Sequence, residues 1–135
     1  MSLVTIHLFH FFLLLVLKGK VKKVIAISSG AADLDLINDC DIEAALNIVV
    51  AKFDVQYKKD GVLFLSNSPG SGATPEELQA FAGFGEKLAK YAPHFKGPIK
   101  PEGSVRHLRS TWGKASVEGG FGGAFISHLG NKQWM

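Results

Sequence analysis

In "KVIAISSG" an apolar run ends in Ser28, Ser29 and Gly30, and about a dozen residues later the acidic set Asp39, Asp41 and Glu43 precedes "AALN". The first stretch reads as a buried strand closed by a turn, and the acidic residues up to Asp41 as part of a loop ahead of a helix. The other residues with reactive side chains are weaker candidates. Cys40 is the one cysteine and has no histidine close in sequence, which favours an incidental thiol over a nucleophile. His7 and His10 are three apart and share a helical face. With no carboxylate or thiol nearby, a packed or interface pair is favoured over a metal site. Gly119, Gly120, Gly122 and Gly123 would cradle a phosphate only ahead of a helix. No helix follows, so they are expected to form a flexible approach to a last strand.

The elements that must position these groups are legible from periodicity. Leu3 to Leu17 is apolar and ends in Lys18, Lys20, Lys22 and Lys23, which are expected to form a solvated turn. The run is short for a membrane span of about 20 residues. It also has no basic leader or small-residue cleavage site, and two histidines interrupt it. A buried helix of an α/β domain fits better than a membrane anchor. "KVIAI" reads as a buried strand, Ala31 to Asp41 as an acidic loop, and "EAALNIVVAKFDVQYKK" as a helix, basic at its end and stopped by Asp60-Gly61. "VLFLSNSPG" reads as a second strand and turn. In "TPEEL", Thr74 is a cap, Pro75 a first residue and Glu77 the partner of a capping box. After the linker "GPIKP", Ser104 is expected to cap a helix bearing Val105, Leu108, Trp112 and Ala115. Ala124 to Ser127 reads as a short strand. Strands separated by helices imply a parallel sheet with right-handed crossovers.

Composition bounds the rest. The chain has 135 residues, 47% hydrophobic and 20% charged, with ten phenylalanines. These totals fit one folded domain over residues 1–135. The net charge of +3 is too small to argue for nucleic acid as a partner. A single cysteine rules out an internal disulfide framework and points to a reducing, cytoplasmic setting.

In order and spacing these pieces resemble the C-terminal half of a short-chain dehydrogenase/reductase. The helix up to Leu17, the fifth strand "VIAISSG", the sixth strand with its "SPG" turn, and the tail "GGAFISHLGNKQW" all fall in sequence. The resemblance implies a partial Rossmann-type doubly wound α/β fold of about three strands, NAD or NADP as cofactor, and hydride transfer as the family reaction. It makes Ser29 the catalytic serine. Pro69 and Gly70 would be the turn that lies against the nicotinamide, and Thr74 would contact the carboxamide or phosphate. It also makes the helices Leu3–Leu17 and Ala44–Tyr57 an oligomer interface, with itself or with an intact relative.

The same resemblance exposes what is altered. The family's lysine should stand immediately before "AALN", where this chain has Glu43, and its tyrosine four residues earlier, at Asp39. A phenol with a pKa of about 10 needs a neighbouring cation to act at neutral pH. Glu43 would oppose this, and there is no phenol. Tyr57 lies several turns away and cannot substitute. The intervals after Ser29 and after Gly70 are shorter than the family's, and its glycine-rich phosphate turn and relay asparagine would lie before Met1. The expectation is a truncated, catalytically inactive relative. The alternatives are a non-catalytic interaction protein and a small membrane-anchored protein.

Overall fold

A computed structural model describes residues 3–30, 42–70 and 97–132. Within them the order is α1 (Leu3–Lys18), β1 (Lys23–Ile27), α2 (Ile42–Tyr57), β2 (Leu63–Asn67), α3 (Pro101–Lys114) and β3 (Phe125–Ile126). The expected loop 31–41 and the helix beginning at Thr74 lie outside the described residues.

The strands form one sheet in the order β1-β2-β3, and both pairings are parallel. Lys23 stands opposite Leu63 and Ile27 opposite Asn67; Asn67 stands opposite Ile126. All five residues of β2 are buried, as a strand covered on both faces must be.

Side-chain alternation divides the core in two. Val24, Ala26, Val62 and Phe64 pack with Leu13 of α1 and with Val50 and Phe53 of α2. Ile25, Leu63 and Leu65 point the other way, against Ala115, Ile126 and Phe121. Aromatic rings fill the first layer: Phe53 meets Phe9, Phe64 and Tyr57 with centroids 5.3, 5.3 and 6.0 Å apart. The result is a three-strand parallel sheet with flanking helices, a partial Rossmann-type α/β arrangement.

Three local readings need correction. The helix α3 starts at Pro101 with Lys100 as its N-cap residue, so Ser104 lies inside the first turn and does not cap it. Proline at the first helical position is pre-set for the helix and lacks the N–H that would be orphaned there, so it fixes the start. Val105 is exposed, while Ser104, Leu108 and Thr111 form the buried face. Lys22 and Lys23 are more than a solvated turn. Lys23 Nζ donates to the Trp112 carbonyl at 2.7 Å, and Lys22 Nζ to the Asp60 carbonyl at 3.3 Å. Finally, α2 ends at Tyr57, and its lysines sit in a separate 3-10 turn, Lys58–Asp60, closed by Gly61 at φ +75°.

Candidate functional site

The C-terminal ends of β1 and β2 leave the sheet together. Ile27 is paired with Asn67, and Ser28 N–H donates to the Asn67 carbonyl at 3.0 Å. Ser28-Ser29 and Ser68-Pro69-Gly70 therefore emerge at one edge, where ligands bind in open parallel sheets. Ser28 is buried and its hydroxyl has no hydrogen-bond partner, while Ser29 is partly exposed. Both sequence-predicted segments are brought to one place. Thr74, Asp39 and Cys40 lie outside the described residues.

The turn at Pro69-Gly70 is held from three sides. From α3, Ser104 Oγ donates to the Pro69 carbonyl at 2.6 Å. From β3, the Ile126 carbonyl accepts from Ser68 N–H at 2.8 Å. Beneath it lies Asn67, fully buried, whose Nδ2 donates to Ile126 O at 3.0 Å and whose Oδ1 accepts from Trp112 Nε1 at 2.7 Å. An amide satisfied this fully inside the core fixes the strand end. Gly70 has φ +85°, and a Cβ there would sit 2.6 Å from His128 Nδ1. Glycine is required on both counts. His128 is 6% exposed, and its Nδ1 has no hydrogen-bond partner. Burial, followed by the proximity of His107, pushes its pKa below the usual imidazole value. Asn67, Ser104, Trp112 and His128 were not singled out from sequence as site residues. Ser104 stood out as a helix cap and Trp112 as an apolar residue of the same helix.

The glycine run is a packed structure. Gly120 and Gly123 have φ +77° and +70°. A Cβ on Gly122 would lie 2.6 and 2.7 Å from the two carboxylate oxygens of Asp54, and one on Gly123 would lie 3.3 Å from Ala51 Cα. These glycines let the approach to β3 pass close over α2, which corrects the expectation of flexibility. Asp54 is 5% exposed, and its Oδ1 has no hydrogen-bond partner. A buried carboxylate is the opposite of what a pyrophosphate needs, so this run does not fit a nucleotide's phosphates.

The remaining candidates take structural places. His10 meets the Phe53 ring edge-on at 5.2 Å, and His7 is exposed. Among the described residues no group of three or more metal-ligating side chains gathers. No helix among them is long and apolar enough to cross a membrane. Tyr57 stacks in the α2 core, far along the helix from Glu43.

No family model matches the chain. Four curated proteins do match, three of them at 39% identity or more. "Short-chain dehydrogenase/reductase iacC" of Pestalotiopsis fici is 53% identical over 146 positions. "Short chain dehydrogenase virK" of Hypocrea virens is 45% identical, and "Short-chain dehydrogenase/reductase AacuF" of Aspergillus aculeatus is 39% identical. Each of these three matches covers 96% of this chain and 54% of the relative, so the chain spans about half the length of these proteins.

Proposed function

The chain belongs with the short-chain dehydrogenases/reductases over about half of their length, and from that premise we propose that it is the nicotinamide- and substrate-side half of such a unit, without hydride transfer of its own. The observation that carries this is the pair Asp39 and Glu43 at the places of the family's tyrosine and lysine. A reductase must hand a proton to the oxygen that forms as hydride reaches a carbonyl. Nothing at those two places can lower a phenol's pKa, and neither residue is a phenol. The shortened intervals after Ser29 and after Gly70 have further support. The aligned stretch of 146 positions exceeds the chain's 135 residues by 11, so relatives carry residues that this chain lacks.

What is retained is the floor of the site. Ser29 and the Pro69-Gly70 turn share one sheet edge, and α3 and β3 support that turn. NAD or NADP would be the cofactor by kinship. The described residues offer no phosphate cradle for it, since the glycine run rests on Asp54, and no step is routed through it. Steady-state assays with NADPH and with NADH against an aldehyde and ketone panel are expected to give no turnover above background. Measurable turnover in the purified chain would overturn the reading.

A second reading, an interaction protein, is favoured by one observation. Phe11, Leu14 and Leu15 of α1 are 77%, 66% and 64% exposed, and Ile48 and Val55 of α2 are 64% and 66% exposed. Apolar surface of this extent on adjoining helices marks an interface with a second copy or an intact relative.

A further inference from the structure

A cleft of about 280 Å³ opens between α3 and the segments that precede and follow β3. Its two walls differ in chemistry. The helix wall carries His107, Ser110 and Lys114, at positions i, i+3 and i+7 and therefore on one face, all three exposed. The facing wall carries Phe121 and Leu129. No carboxylate lines the cleft among the described residues.

His128 closes the back. Its ring meets His107 edge to face, with centroids 5.5 Å apart, and its Nδ1 edge is turned toward Gly70. Thr111, also in the lining, spends its hydroxyl on the His128 carbonyl at 2.9 Å. That bond ties the back of the cleft to α3. A sharp turn with Gly130 at φ +80° fixes the remaining wall: Gly130 N–H donates to Ser127 O at 2.9 Å, and Ser127 N–H to Asn131 O at 2.7 Å. The cleft is therefore preformed.

A preformed cleft with cationic and hydroxyl donors on one wall and apolar side chains on the other selects an amphipathic anion. We propose that it binds a small carboxylate carried on a flat apolar body. The carboxylate accepts from Lys114 and Ser110, with His107 beside it, and the body lies on Phe121 and Leu129. Lysine acts here as a point charge rather than a bidentate fork, so an acid is held by charge plus the apolar wall. This site is independent of the nucleotide reading and stands or falls separately from it.

Benzoate is the probe, titrated into the full chain by isothermal calorimetry, with benzamide and inorganic phosphate as controls. Benzoate is expected to bind saturably at one site. Benzamide, with the same ring but no charge, is expected to bind on the order of tenfold more weakly or not at all, and phosphate, with charge but no apolar body, likewise. Lys114→Gln and Ser110→Ala are both exposed changes, checked by their thermal melts, and each is expected to weaken benzoate several-fold. Phe121→Leu provides a second route to the apolar wall if either fails to fold. Benzoate binding no tighter than benzamide or phosphate, or unchanged in these variants, overturns the proposal.

Discussion

At Gly70 two constraints meet in one residue: a left-handed φ of +85° and a ring 2.6 Å from where a Cβ would stand. Gly70→Ala is expected to cost about 1–3 kcal/mol from overpacking and backbone strain, read as a lowered urea midpoint at unchanged slope. Combined with His128→Ala, the two costs are expected to be less than additive, because the clash is removed. His128 itself makes stability depend on pH. Its folded pKa lies below the ordinary value of 6.5, through burial first and His107 second. The unfolded chain therefore takes up a proton that the folded chain resists. For this group stability is flat above that value and falls as pH drops from about 6.5 toward the folded pKa. A series of melts across that window is expected to show the fall, and His128→Gln to flatten it. None of this was legible beforehand. A histidine in "FISHLG" has no neighbour in sequence that announces a buried ring under a turn nearly sixty residues earlier, whereas Ser29, Pro69 and Gly70 were found because they end apolar strands.

At the scale of elements the strands were the most legible part, since the continuous apolar runs "VIAI" and "VLFL" both read as strands; "VLFL" is buried throughout, whereas in β1 only Ala26 is buried and Ile27 is exposed. The start of α3 was misread because serine is a strong capping residue, yet Pro101 had already set the helix and left Ser104 to hold Pro69. The helices α1 and α2 each carry a buried and an exposed apolar face, and periodicity alone cannot tell them apart. Phe53 belongs to the buried face, where the rings of Phe9, His10, Tyr57 and Phe64 surround it. Phe53→Ala is expected to cost about 3–5 kcal/mol. Phe11, 77% exposed, is on the other face. Phe11→Glu with Leu15→Glu is expected to leave the melt within a degree or two and to abolish any self-association seen by sedimentation. Association unchanged by that pair would remove the support for an interface on α1.

For the whole molecule the decisive features are the sheet and what it lacks. Among the described residues β1 pairs on one side alone, with β2, and an unpaired parallel edge invites association. The same sheet brings Ser29 and the Pro69-Gly70 turn to one edge, which is what a nicotinamide-side half requires. The glycine run rests on a buried carboxylate, which a phosphate site forbids. The central claim is that this chain alone has no working nucleotide site. Its most direct test is a thermal melt of the purified chain with and without excess NADPH. A ligand present at about 100 times its dissociation constant stabilises by about 2.7 kcal/mol, a shift of several degrees. The account expects a cooperative melt whose midpoint does not move. A clear, saturable upward shift would contradict it and return the chain to the nucleotide-binding reductases.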